Sequence, residues 1–371
     1  MPSDPIVCPF CPLCCDDVRV DAASGETDVP CDLARLELAA AVRTPTARIG
    51  SESIDSIDWN ALGESLALQP TPVVEFNGAT IAEAKMLETL VTEGQMQLRI
   101  ADTACARALD QTIARDGLLG TTLGDAVRRA EYFWVIGNLD PRTPRLKERL
   151  NQSGAAMEYT PTATIGLLSR LHELLGGLAV DSAVDSAAAV DSSGAEPDRL
   201  HEHFRNSRST VVVVGEAAFE SGEEVIAGEL LIRWIARWNE TALPISDGHE
   251  GDDSIVSRVT LLRLTADQNL RTVMRWRNNQ VSPSDLSSPL DPTIRVGSPV
   301  GEFTAPVRLQ IGGVDPGQSC AHAYLPASMP GVHHADTTIR GDGSVTLPLT
   351  GWTDSAYPRR VEVLRRVLGV G

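Results

Sequence analysis

Five of the seven cysteines in this chain fall within its first 31 residues, at Cys8, Cys11, Cys14, Cys15 and Cys31. Four of them read Cys8-x2-Cys11-x3-Cys15-x15-Cys31. A tight loop of three thiolates closed by a fourth from the next element is a common way to hold a [4Fe–4S] cluster. The loop covers one face of the cube, and the distant cysteine closes it. Thiolates suit its soft iron. The same four sulfurs can hold a structural zinc, where closing the site is itself folding energy. They can also be a degenerate, empty remnant. Cys14 is a spare thiol able to replace a neighbour. Cys320 has no nearby partner and reads as a buried small residue.

The compartment decides between metal and disulfide. The opening Met1-Pro-Ser-Asp-Pro5 lacks a basic region and no apolar run follows, so no signal peptide is expected. No stretch approaches the roughly 18 apolar residues that span a bilayer. The expectation is a cytoplasmic protein with reduced thiols, in which clustered cysteines are metal ligands. The net charge of −18 repels phosphate backbones and anionic lipid, which argues against nucleic acid and membrane as partners. The length of 371 residues suits two or three domains, and 42% hydrophobic content with 4% aromatic predicts a mostly aliphatic core.

Residues 1–50 read as a Cys-rich metal-binding subdomain, with a short strand over 16–21, a turn at 22–26 and a helix from Asp32, as N-cap, to about 42. Residues 51–178 alternate short apolar strands (72–76, 97–100, 132–136) with helices (80–93, 105–116), the βαβ signature of a parallel sheet. Residues 179–200 repeat Val-Asp-Ser without an apolar face and read as a flexible insertion. The pattern resumes over 201–289 with a strand at 211–214 and helices at 223–238 and 267–280. Residues 290–371 are richer in strand and loop, with strands at 293–296, 307–311 and 321–326, and return to the α/β core through a last helix over 357–368. The fold class is α/β, parallel sheets flanked by helices, with a small N-terminal Cys-rich subdomain.

Three stretches carry a family likeness. Cys8-Pro-Phe-Cys-Pro-Leu-Cys-Cys-Asp-Asp17 resembles the opening of the B-type subunit of formylmethanofuran dehydrogenase, a molybdopterin oxidoreductase. The resemblance continues at Thr122-Leu-Gly-Asp-Ala-Val-Arg-Arg-Ala-Glu-Tyr-Phe-Trp-Val-Ile-Gly-Asn-Leu-Asp-Pro-Arg-Thr-Pro-Arg145. It ends at His322-Ala-Tyr-Leu-Pro326 and Pro330-Gly-Val-His-His-Ala-Asp-Thr-Thr-Ile-Arg-Gly-Asp-Gly343. The order of these motifs makes the match specific.

The resemblance implies a molybdopterin-oxidoreductase-like fold and one [4Fe–4S] cluster. It also implies a pair of molybdopterin guanine dinucleotides carrying tungsten or molybdenum, which interconvert carbon dioxide and formate. Bacterial relatives assemble the same A, B, C and D subunits into a formyltransferase/hydrolase complex, in tetrahydromethanopterin-linked oxidation of formaldehyde to formate. The resemblance makes the A, C and D subunits the implied partners.

By the same resemblance Cys8, Cys11, Cys15 and Cys31 are cluster ligands, and Cys105 stands where the pterin metal's cysteine would be. In the dehydrogenases a histidine follows that cysteine; here the next residue is Ala106. A methyl cannot transfer a proton, which puts formate chemistry in doubt. Cys105 can equally be a buried helix cysteine. Gly137-Asn138-Leu-Asp140 and Gly215-Glu216 follow buried strands, where α/β sheets bind ligands, and are candidate pterin contacts. Glycine there can also simply turn the chain. Asp336, Thr338, Arg340 and Asp342 are further candidate pterin contacts by resemblance, and a solvated turn by composition. His333 and His334 read as a solvated pair.

Three readings follow. The first is a redox-silent scaffold of a formyl-hydrolysing complex. The second is a catalytic redox subunit using Cys105. The third is a zinc-binding structural protein without a one-carbon role. The missing histidine and the short chain favour the first.

Overall fold

The computed structural model describes residues 4–43, 45–55, 57–59, 62–63, 66–100, 103–139, 142–177, 195–241, 256–265, 267–277, 290–298 and 306–370. Most of the Val-Asp-Ser stretch lies outside them; its last residues open a helix at Ala195–Asn206. The chain is mixed α/β and divides into two units. The first comprises Met1–Ala101, Pro141–Arg145 and Leu264–Gly371, and the second Asp102–Asp140 and Leu146–Arg263. Among the described residues fourteen strands, numbered in chain order, form three sheets. No helix among them is long and apolar enough to cross a membrane.

The first unit holds β1 (Ala47–Ile49), β2 (Glu52–Ile54), β3 (Val73–Phe76) and β4 (Gln97–Arg99), then β10 (Ile294–Val296), β11 (Val307–Ile311) and β12 (Ala321–Leu325). They form one sheet in the order β2-β1-β12-β11-β10-β3-β4. The five from β12 to β4 are parallel, and β1 and β2 add an antiparallel edge. The core on one face is aliphatic, with Val74, Leu87, Leu98, Ile294, Leu309 and Leu364 among its buried members. A two-stranded ribbon, β13 (Asp336–Ile339) with β14 (Thr346–Leu349), belongs to the same unit.

The second unit is a wholly parallel sheet of β5 (Gly120–Thr121), β6 (Tyr132–Ile136), β7 (Ala156–Thr160), β8 (Ser209–Val214) and β9 (Arg258–Leu262), in the order β5-β9-β8-β6-β7. Its central strands Tyr-Phe-Trp-Val-Ile and Thr-Val-Val-Val are buried on both faces, as parallel strands between helix layers must be. The scarce aromatics collect here. Trp134, Phe204, Trp234 and Trp238 form a chain of ring contacts with centroids 5.0–6.1 Å apart, set within a core still mostly of Leu, Ile, Val and Ala.

Two local readings change. Asp32 is the first residue of the helix Asp32–Ala41, and the N-cap is Cys31, extended at φ −137° with no capping side chain. The Asp32 carboxylate still favours the positive end of the helix. Residues 51–100 and 103–177, read from the sequence as one α/β domain, serve different sheets. The chain leaves the first unit after β4 and returns to it durably at Leu264, and both stretches carry the same βα periodicity.

Candidate functional site

Each large sheet has a point where its chain order reverses, and there the loops leaving adjacent parallel strands diverge to open a crevice. In the first unit that point lies between β3 and β10. The loop after β3 is Asn77-Gly78-Ala79-Thr80, and the loop after β10 is Gly297-Ser298. They begin close together: the Asn77 amide donates to Val296 O at 2.9 Å, and a Cβ on Gly297 (φ +82°) would stand 2.9 Å from Asn77 O. They then part around a cavity of about 750 Å³, its open mouth included, which Asn77, Thr80, Ser298, Cys11, Cys14 and Thr338 help to line.

The floor is fixed by charge. Thr80 caps the helix Ile81–Thr92 in a capping box with Glu83. Arg360, on the helix Arg360–Val367, donates to both Glu83 oxygens at 2.7 and 2.6 Å and to the carbonyls of Asn77 (3.1 Å) and Gly78 (2.6 Å). It lies over the Phe76 ring at 4.8 Å. Among the described residues the buried Asn77 Nδ2 donor has no partner.

The cysteine loop forms one wall. The Cys8 amide donates to Cys15 O at 2.8 Å, and Cys14 takes a left-handed φ of 44° that bends the loop. Cys8, Cys11, Cys15 and Cys31 line one small cavity of about 250 Å³, shared with Leu13, Val18 and Val29 and with Arg145. Three of the four sulfurs are on residues only 5–6% exposed. Burial, and then the neighbouring thiols, push Cys8 and Cys11 well above the ordinary thiol range. Burial and Cys15 push Cys14 up to about 12, against the opposing pull of Arg340. Cys8, Cys11 and Cys14 thus resist ionising alone, whereas a bound cation would reverse that preference.

By donor chemistry alone four thiolates suit a [4Fe–4S] cluster and a zinc ion alike. Among the described residues no three His, Cys, Asp or Glu side chains are placed to hold a metal ion. Arg145, held by Asp17 through two bonds of 2.8 and 2.9 Å, also lines that cavity.

The tail motif meets this wall. The Gly341 amide donates to Pro12 O at 2.8 Å, and a Cβ there would stand 2.4 Å from Pro12 Cβ. Thr338 lines the cavity, accepts from Asn269 Nδ2 at 2.9 Å and hydrogen-bonds the Cys14 thiol. Asp336 accepts from the Thr80 hydroxyl at 2.8 Å. Arg340 and Asp342 pair at 2.8 Å, with Asp342 fully buried. The motif is thus β13 and its turn, packed on the cysteine loop, not a solvated turn. His333 and His334 are half-buried instead of solvated. The His333 Nδ1 accepts from the Met329 amide at 2.9 Å and its Nε2 donates to Ala41 O at 3.3 Å, while His334 meets the Ser328 hydroxyl at 2.7 Å. Cys320 is only partly buried, 3.7 Å from the Ser319 hydroxyl.

The second unit has its reversal between β6 and β8, and the loops there are Gly137-Asn138 and Gly215-Glu216. The structure brings these candidates together and closes them on each other. The Asn138 amide donates to Glu216 O at 2.8 Å and the Glu216 amide to Asn138 O at 2.7 Å. A Cβ on Gly215 would lie 2.2 Å from Asn138 O, and one on Gly137 2.4 Å from Glu216 O. The glycines serve backbone contact, and those amides are spent. Asp140 lies outside the described residues. Cys105 is in this unit's core, 4% exposed, with its sulfur hydrogen-bonded by the backbone of Phe219 and Ala218. Among the described residues the reversal point of the second unit is closed by backbone pairing, and that of the first opens on the cavity lined by Asn77 and Thr80.

Sequence reasoning missed Glu37, Asn77 and Arg360. Glu37 is a buried carboxyl on the cavity wall, pushed up to about 7 by burial against the pull of the Ser298 hydroxyl. Its signal was an acidic residue on the inward stripe with Ala34 and Leu38.

Fold and site together define a doubly wound α/β protein in which a cysteine-rich loop stands beside the open reversal point of one sheet. No family model matches the chain, and no curated protein matches it in sequence. Among solved structures it is similar in fold to a chain of the formyltransferase/hydrolase complex (FhcABCD) of Methylorubrum extorquens, determined in complex with methylofuran. The TM-score is 0.55 at 15% identity, covering 87% of this chain and 98% of that one.

Proposed function

We propose that this chain is the B-type subunit of a formyltransferase/hydrolase complex of one-carbon metabolism, acting as a redox-silent scaffold for A-, C- and D-type subunits. The observation that carries this reading is the fold likeness, which spans 98% of a chain from such a complex. Redox silence is supported by the closed pairing of Asn138 with Glu216, by Ala106 after Cys105, and by the engagement of Cys105 with its own core.

Cys8, Cys11, Cys15 and Cys31 would hold a [4Fe–4S] cluster, which can store one electron and tie the N-terminal loop together. The chain's own residues do the positioning. The backbone bond from Cys8 to Cys15 fixes the loop, Arg145 offsets its negative charge, and the β13 turn clamps Pro12.

Affinity purification of the tagged chain from its native cells tests this, with partner identification and metal analysis under anaerobic conditions. Co-purification with an amidohydrolase-type subunit, with about four irons per chain and neither tungsten nor molybdenum, is the expected result. Stoichiometric tungsten or molybdenum would replace it with the catalytic dehydrogenase reading. One zinc without iron or partners would replace it with a structural zinc protein.

A further inference from the structure

Glu37 stands between two cavities. It lines the cavity beside the cysteine loop and also an outer cleft of about 620 Å³, open mouth included; Met329 is the other residue common to both. It is 4% exposed. Among the described residues no arginine, lysine or histidine pairs with it. Its polar partner is the Ser298 hydroxyl, which accepts from the Val314 amide at 3.2 Å and is left to donate to the carboxyl. A buried carboxylate without a countercharge is costly, and a cation entering from solvent offsets that cost.

The outer cleft suits an organic cation over a metal ion. Its lining combines apolar surface from Tyr324, Ala327, Met329 and Tyr357 with the polar groups of Glu37, His333 and Ser355. Both tyrosine hydroxyls are engaged, Tyr324 donating to Gly313 O at 2.8 Å and Tyr357 to Pro45 O. Neither hydroxyl nor the doubly bonded His333 is placed to complete a metal's coordination, and His333 is held neutral by burial. Arg43 and Asp354 stand at the exposed rim with opposite charges. On the cysteine side, Arg360 is matched by Glu83.

We infer that the outer cleft is a binding site for a small organic amine, whose ammonium group pairs with the Glu37 carboxylate and whose hydrocarbon part packs on Tyr324, Met329 and Tyr357. This site stands apart from the scaffold role proposed above and does not depend on it.

Butylamine, protonated at about pH 8 as a lysine amine is, and 1-butanol are suitable probes for titration of the purified full chain by calorimetry. The amine is expected to bind at least ~10-fold tighter than the alcohol, a factor set by one partly desolvated ion pair. Glu37→Gln keeps the shape and removes the charge, so it should erase that advantage. Asp354→Asn at the rim should change it less than ~3-fold, as exposed charges do. A pH series on the unaltered chain covers a misfolded variant, since amine affinity should rise from about pH 6 to about pH 8 while alcohol affinity stays flat. Equal binding of amine and alcohol, or an advantage that survives Glu37→Gln or ignores pH, overturns the site.

Discussion

Two sheets in this molecule follow the same winding rule, and their reversal points end differently. In the second unit the loops after β6 and β8 meet in a two-bond backbone pairing, Asn138 with Glu216, with glycines at contact distance. In the first unit, among the described residues, the loops after β3 and β10 meet at the Asn77 amide and Gly297 and then part around a cavity. Topology therefore creates the opportunity for a site, and the loop residues decide whether it is used. Where amides pair with each other the edge becomes structure. Where Arg360 and Glu83 hold the loop from beneath, the edge stays open and keeps, among the described residues, an orphaned donor, Asn77, and a buried acid, Glu37.

The largest effect is expected at that support. Arg360 and Glu83 have side chains only 3% and 8% exposed. Arg360→Met leaves a buried carboxylate and two carbonyls without donors, which costs about 3–5 kcal/mol by analogy with broken buried pairs. Denaturant unfolding of the variant should show that loss. The double variant Arg360→Met with Glu83→Gln should recover more than half of it, because the stranded charge is then gone. A loss below ~1 kcal/mol would mean that the open edge does not depend on the clamp.

Much of this was legible in the sequence. The strand at 132–136 has the bounds expected from its apolar run, and the helices at 81–92 and 104–116 fall within a residue of theirs. Cys8, Cys11, Cys15 and Cys31 line one cavity, though among the described residues no three such side chains are placed to hold a metal ion. The partition of strands between sheets was not legible, because periodicity reports which face is buried and not which neighbour buries it. The helix 165–177 and strands β7 and β9 were passed over, since Ala156–Thr160 and Arg258–Leu262 mix polar residues into short runs. Gly137 and Gly215 were found for the wrong reason. A glycine after a strand marks close approach, but only coordinates show whether a ligand or another loop does the approaching. Arg360 was invisible because its partner is 277 positions away.

The next effect follows from the open edge's acids. Burial pushes Glu37 and Asp267, both in the first unit, up to about 7. Among the described residues neither carboxylate oxygen of Asp267 has a hydrogen-bond partner; Arg142 pulls it down and Glu75 pushes it further up. A carboxyl raised in the folded state binds more protons there than in the unfolded chain between its two pKa values. Stability should therefore fall as pH rises from about 4.5 to 7 and level off above, by on the order of 3 kcal/mol for each such group. Glu37→Gln should flatten part of that slope and raise the melting temperature at about pH 8. An unchanged slope would show that Glu37 ionises freely in the folded chain.

The smallest effects compare the two edges directly, through one methyl group each. At Gly215 a Cβ would meet Asn138 O at 2.2 Å and its carbonyl carbon at 2.5 Å, both backbone atoms of the opposed loop. Gly215→Ala must push that loop away, at about 1–3 kcal/mol, and should speed hydrogen exchange at the Asn138 and Glu216 amides. At Gly78 the nearest atom is Pro9 O at 3.6 Å, so space is available and only the φ of +63° resists. Gly78→Ala should then cost about 1 kcal/mol and leave exchange at the Asn77 amide nearly unchanged. If the two substitutions cost the same and leave both loops equally protected, the closed edge owes nothing to its backbone contact and the distinction between the two reversal points fails.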